Sequence, residues 1–131
     1  MNDPEFAAAV TAALTAFNER RFADFSAYVT DDLVESYPQS GEVLIGKEVE
    51  RAMHEAFPSP PTFTIRTIHR DGDLAVVEVD EGYPGGTTWK TAFIFELRDG
   101  LIARLTGYFG EPFAAPAWRR PFVTPPGTAR R

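Results

Sequence analysis

A chain of 131 residues fits one domain, and a composition of 44% hydrophobic and 13% aromatic residues can build a sizeable core. The net charge of −6, from 13 Lys+Arg against 19 Asp+Glu, argues against nucleic acid as the main ligand, because phosphate binding needs clustered cations. There is no cysteine, which excludes disulfides and thiolate chemistry, and no run approaches the roughly 18 apolar residues of a membrane span.

The acidic opening Met1-Asn2-Asp3-Pro4-Glu5 is unlike a basic secretory leader, so the expected location is the cytoplasm. Asp3-Pro4 reads as a helix start, with Asp3 as N-cap and Pro4 at the first helical position. Phe6, Val10, Leu14 and Phe17 follow at helical spacing. A second short helix is expected through Phe22, Phe25 and Tyr28, broken by Thr30-Asp31-Asp32. Leu33 to Tyr37 reads as a short strand stopped by Pro38, and Gln39-Ser40-Gly41 as a turn. Gly46 opens a third helix whose apolar face is expected to carry Val49, Ala52, Met53, Ala56 and Phe57, with Pro58 ending it.

From Thr62 the period becomes two. Four strands are predicted, Thr62 to His69, Leu74 to Glu81, Thr87 to Arg98 and Leu101 to Phe109. Asp71-Gly72-Asp73, Pro84-Gly85-Gly86 and Asp99-Gly100 are the turns between them. Helices followed by a meander define an α+β domain with the helices on one sheet face. The domain is expected over residues 1–112, followed by a tail over 113–131. Segment 111–131 holds five of the eleven prolines, so regular helix is excluded there. Its Phe113, Trp118 and Phe122 are expected to pack on the domain surface or on a partner. The pairs Arg20-Arg21, Arg119-Arg120 and Arg130-Arg131 read as a solvated face or tail, and the last residues as loose.

The order of these elements is the specific feature: two amphipathic helices ending in Asp31-Asp32, a short strand, a Gly46-led helix, and strands ending in Tyr108-Phe109-Gly110-Glu111. Over roughly residues 3 to 112 this resembles the nuclear transport factor 2-like superfamily, and within it the SnoaL-like (polyketide-cyclase-like) and ketosteroid isomerase-like proteins. The resemblance implies a cone, a cystatin-like roll in which three N-terminal helices pack on a curved antiparallel sheet around a deep pocket. It also implies frequent homodimers, and it does not imply one activity. A homodimer is expected here, because a sheet covered on one face calls for a partner on the other.

The isomerase chemistry of that group needs a carboxylate base and two oxyanion donors, a Tyr and a protonated Asp. By position these fall on Tyr37, Ala13 and Thr91, so all three are replaced. The resemblance makes Tyr37, Met53, Phe57, Trp89, Phe93 and Tyr108 the pocket lining, with Phe95 filling the core. The expected ligand is a small hydrophobic molecule. Acid/base candidates are Tyr37, His54, Asp32 and Glu111; His54 also reads as a boundary or surface histidine, and His69 as exposed. Asp80, Glu78 and Arg104 suggest an acid–base relay or, more plainly, ion pairing on the outer sheet face. No metal or other cofactor is expected: there is no His-x-x-x-His or Cys cluster, and Asp71-Gly72-Asp73 is too short for a calcium loop. Two functions compete, a binding protein for a hydrophobic molecule and an acid/base enzyme of cyclase, isomerase or dehydratase type on a polyketide- or steroid-like substrate. A non-catalytic homodimeric interaction module is the third.

Overall fold

A computed structural model describes residues 1–125. Arg130-Arg131 and the chain end expected to be loose lie outside the described residues. Helix α1 spans Asp3–Asn18. Its N-cap is Asn2 rather than Asp3: the Asn2 side chain accepts from the Glu5 amide at 2.8 Å, and Glu5 accepts from the Asn2 amide at 3.3 Å. This reciprocal capping box satisfies two amides that Asp3, now inside the first turn, would not. The stripe Phe6, Val10, Leu14 and Phe17 is buried, as its spacing requires.

Helix α2, Phe22–Phe25, runs into a tight turn over Ser26–Tyr28 and then into strand β1, Val29–Tyr37. Asp31 and Asp32 therefore do not precede the strand; they lie within it. The register with β6 shifts between Val29 and Val34, so both carboxylates face solvent, where Asp31 meets Lys47 at 3.3 Å and Asp32 pairs with Arg98. A further strand, β2 (Glu42–Ile45), was not expected from the sequence; it pairs with β1 across Gln39-Ser40-Gly41. Gly46, at φ 107°, then turns the chain into α3, Lys47–Ala56, in a backbone region that only glycine enters freely.

Strands β3 (Thr62–Asp71), β4 (Leu74–Gly82), β5 (Thr88–Arg98) and β6 (Leu101–Gly110) form the expected meander. The Asp99-Gly100 turn has φ of 53° and 80°, the paired positive angles that match the twist of a tight hairpin. The whole sheet is six-stranded, curved and unclosed, in the order β2-β1-β6-β5-β4-β3. Neighbours run antiparallel except β1 and β6, which are parallel; β2, α3 and strands β3 to β5 intervene between them in the chain, the long crossover that a parallel pair needs. At Gly110 a Cβ would stand 2.2 Å from the Lys90 carbonyl oxygen, so the β5–β6 ladder closes there only on glycine.

The concave face carries Ala75, Val77 and Val79 of β4 and Phe93, Phe95 and Leu97 of β5, all buried against the helices. The convex face is mixed, with Val76, Ala92, Ile94 and Tyr108 among charged side chains. Asp80 there pairs with Arg66 of β3 and with Lys90 of β5 at 2.9 Å, while Arg104 faces Glu96 at 3.7 Å. Asp80 and Arg104 are thus not partners, since β6 lies one strand too far from β4. His69 is exposed. After Gly110 the chain leaves the sheet and forms a short 3-10 helix over Ala117–Phe122, with Pro121 inside it. Phe113, Trp118 and Phe122 are each more than 70% exposed, so they do not pack on the domain surface. No helix among the described residues is long and apolar enough to cross a membrane.

One side chain ties the helical layer to the sheet. Asn18, at the end of α1, donates to the Phe63 carbonyl at 2.9 Å and accepts from the Phe63 amide at 2.8 Å. Asn18→Ala leaves both backbone groups of Phe63 without that partner and is expected to cost about 2 kcal/mol. Urea denaturation would show it; a variant as stable as the wild type would remove Asn18 from the account of how α1 docks.

Candidate functional site

Between α1, α3 and the concave sheet lies a cavity of about 270 Å³. Its walls are largely apolar, with Phe6, Val10 and Phe17 from α1 and Phe93 and Phe95 from β5. One group of ionisable side chains enters it from two elements, Glu35 and Tyr37 from β1 and Glu50 and His54 from α3. Strand alternation puts Leu33, Glu35 and Tyr37 on one face, so the carboxylate and the phenol point inward together with a core leucine. On α3 the residues at i, i+3, i+4 and i+7, namely Glu50, Met53, His54 and Phe57, line the cavity. The buried face of α3 is therefore not the apolar set read from the sequence. Val49 is 50% exposed, and Ala52 and Ala56 are exposed as well.

Glu35, Glu50 and His54 are 4%, 0% and 8% exposed. Each offers a ligand atom within 4.8 Å of the others. Tyr37 donates its hydroxyl to Glu35 Oε2 and also lies 3.6 Å from Met53 Sδ. Glu35 Oε1, both carboxyl oxygens of Glu50 and His54 Nδ1 are buried without a hydrogen-bond partner. His54 is set edge-on to Phe17 and Phe25, with ring centroids 5.0 and 5.1 Å away. Burial pushes the Glu50 carboxyl up to about 10, helped by a proton that Glu50 can share with Glu35 and by the Glu35 charge, and opposed by Lys47. No other donor among the described residues reaches the Glu50 oxygens. Burial also lowers His54, which Glu35 partly offsets, and raises the Tyr37 phenol, which Glu35 raises further.

Elsewhere in the wall, Glu81 of β4 is 1% exposed and accepts from the hydroxyls of Thr91 and Tyr83, the latter at 3.2 Å. Burial raises its carboxyl, and the two hydrogen bonds oppose that rise. Burial, with Glu81 alongside, pushes the Tyr83 phenol up to about 12.

The residues singled out from the sequence divide cleanly. Tyr37, Met53, Phe57, Phe93 and His54 line the cavity, and His54 is a buried residue rather than a boundary or surface one. Phe95 lines it too. Trp89 does not: it is half-buried beside Tyr83, with ring centroids 5.4 Å apart. Tyr108 is 43% exposed, because β6 alternation turns it to the convex face. Asp32 is held outside by Arg98, and Glu111 is exposed beyond the end of β6. At the isomerase positions, Ala13 is part of the wall and Thr91 is tied to Glu81.

Sequence reasoning missed Glu35, Glu50 and Glu81. It looked for His-x-x-x-His, whereas Glu50-x-x-x-His54 has the same helical spacing and places two ligating groups on one face. Glu35, the third residue of this cluster, comes from a strand remote in sequence, which no spacing rule reaches.

A helix-covered, cone-shaped sheet around an apolar cavity with a few buried ionisable groups defines the class. The sequence profile of the SnoaL-like domain matches residues 10–105, and the chain belongs to that family. An NTF-2 like protein of unknown function from Burkholderia xenovorans LB400 is 32% identical, with 97% of this chain and 99% of that one covered and a TM-score of 0.85. A putative ketosteroid isomerase from Kribbella flavida DSM 17836 shares the fold at 23% identity, with 97% and 95% covered and a TM-score of 0.83. So does an LEH-like epoxide hydrolase from M. tuberculosis, at 24% identity, 81% and 83% covered and a TM-score of 0.69. No protein of curated function matches.

Proposed function

We propose that this protein binds a compact hydrophobic molecule in the cavity and acts on it by acid/base chemistry at Glu35, Tyr37, Glu50 and His54. The observation that carries this reading is the burial of two carboxyl groups and an imidazole, with unpaired acceptor atoms, in an otherwise apolar wall. Buried polar atoms without partners are costly, and they concentrate where chemistry needs them. In this reading Glu35 is the base: Tyr37 holds one of its oxygens, and Oε1 is free of donors other than a proton shared with Glu50. The cavity volume of about 270 Å³ lies just under the usual range of roughly 300–1,000 Å³ and favours a small substrate over an extended polycyclic one.

The competing reading is a binding protein without turnover. It is favoured by Ala13 and Thr91, which occupy the isomerase donor positions without supplying those donors. One experiment separates the two. Terpenoids, aromatic acids and steroids are screened by thermal shift, and each stabilising compound is incubated in D2O and analysed for deuterium uptake or conversion. A ligand at 100 times its Kd adds about 2.7 kcal/mol of stability. The expected result is stabilisation by a compact compound with deuterium uptake, which Glu35→Gln slows by about 100-fold or more while binding persists. Stabilisation without uptake or conversion would establish the binding protein, and no stabilisation by any apolar compound would overturn both readings.

A further inference from the structure

We infer that Glu35, Glu50 and His54 form a site for one divalent first-row transition-metal ion, of the Zn2+, Fe2+ or Mn2+ type, in the wall of the cavity. The inference deepens the reading above and any part of the ion in turnover rests on that reading, but binding itself rests only on these side chains.

The three ligand atoms lie within 4.8 Å of one another. Ligands held about 2.0–2.2 Å from an ion stand about 3–4 Å apart, so closure around it needs carboxylate rotations rather than backbone movement. The ligands come from two elements. Helix α3 holds Glu50 and His54 one turn apart on one face, and β1 brings Glu35 across to them.

The strongest argument is the set of unpaired atoms. Glu35 Oε1, both Glu50 oxygens and His54 Nδ1 are all buried without a partner, on residues at least nine-tenths inaccessible. A shared proton can satisfy one pair of these acceptors. A divalent ion can satisfy three or four together and balances two carboxylate charges. Tyr37 adds the outer contact expected of such a site, since its hydroxyl holds Glu35 Oε2 and leaves Oε1 free to turn inward.

The donor set selects the ion class. One imidazole with two carboxylates suits borderline ions better than calcium or magnesium, which prefer oxygen alone, and the absence of thiolates disfavours copper(I). Three protein ligands would leave coordination positions turned toward the cavity, the arrangement of sites that bind water or substrate.

The test uses the full chain stripped with a chelator, then titrated with Zn2+ by calorimetry and thermal shift, and with Co2+ by visible absorption. One equivalent of Zn2+ is expected to bind and raise the Tm, with ligand-field bands appearing on Co2+ addition. Glu50→Gln, an isosteric change, and Glu35→Gln are each expected to lower Zn2+ affinity by about 100-fold or more, beyond the 10–100-fold loss that follows removal of an outer-sphere partner. His69→Ala is expected to bind like the wild type. Circular dichroism shows which variants are folded. No saturable binding up to millimolar metal would overturn the site, as would a folded Glu50→Gln that binds as tightly as the wild type. If the metal-free protein exchanges deuterium with its ligand and Zn2+ does not bind, the metal inference falls and the acid/base reading stands. Saturable Zn2+ binding lost in Glu50→Gln, without turnover of any compound, supports the site alone.

Discussion

Glu50→Gln is expected to make the metal-free protein more stable than the wild type at pH 7, by about 3 kcal/mol. In the unfolded chain the Glu50 carboxyl titrates near 4.5; in the folded protein burial and Glu35 push it up to about 10. Between those values the folded state carries one proton more than the unfolded state, so stability falls as pH rises, by about 1.4 kcal/mol per pH unit. From 4.5 to pH 7 that accumulates to about 3 kcal/mol, an upper figure because nearby charges relax. Glutamine keeps the shape and takes up no proton, so the cost disappears. Below pH 4.5 both states of the wild type are protonated and the two proteins should converge. The measurement is chemical denaturation at pH 5 and pH 8 in the presence of a chelator, and the gap between variant and wild type must widen with pH. An equal gap at both would show that Glu50 does not carry the titration.

The chelator matters because the two accounts of this cluster make opposite demands on the same atoms. A proton on Glu50 keeps the cluster neutral enough to stay buried, whereas a divalent ion displaces that proton and uses the same oxygens. In either case the cluster is costly to folding and is held in place by what surrounds it. Three phenylalanines enclose His54, and α3 starts on a glycine that no other residue replaces without strain. Destabilising groups held within a wall of aromatic side chains are what the proposed acid/base reading rests on.

How far the sequence revealed this can be judged from particular residues. The meander was legible because its turns carry Asp-Gly and Gly-Gly signals and because β5 alternates Thr91, Phe93, Phe95 and Leu97 without interruption. Strand β2 was not, since four residues cannot establish a period and its pairing depends on β1 folding back across Gly41. The extent of β1 was hidden by Asp31 and Asp32, which look like a stop until Arg98 and Lys47 are seen beside them. On α3 the reading selected apolar residues and so turned the helix toward Val49; the true inward face begins at Glu50, and a buried carboxyl is the case that such patterning cannot anticipate. Glu81 was missed likewise, because as the last inward residue of β4 it looks like an ordinary polar strand end. Its role becomes visible only where the hydroxyls of Thr91 and Tyr83 meet it.

Phe17→Ala is expected to cost about 3–5 kcal/mol, the range for removing a buried aromatic ring. A domain of this size is stable by about 5–15 kcal/mol in total, so this single change removes a large share. Phe17 is 4% exposed and its ring meets Phe22, Phe63 and His54 at 5.4, 4.9 and 5.0 Å. It therefore joins α1 to α2, α3 and β3 through one side chain, and none of the rings around it can collapse into the gap without leaving another contact. The vacated volume opens directly into the existing cavity, whose wall includes Phe17. A small aromatic such as benzene should then bind the enlarged space and recover part of the lost Tm, because apolar cavities of this kind take apolar ligands in preference to water. His54 supplies an independent readout. Its pKa is lowered by burial, so loss of the adjacent ring should let it climb back toward 6.5. An NMR titration of the His54 ring protons in both proteins measures the shift, and an unchanged midpoint in the variant would mean that Phe17 is not what keeps the imidazole dry.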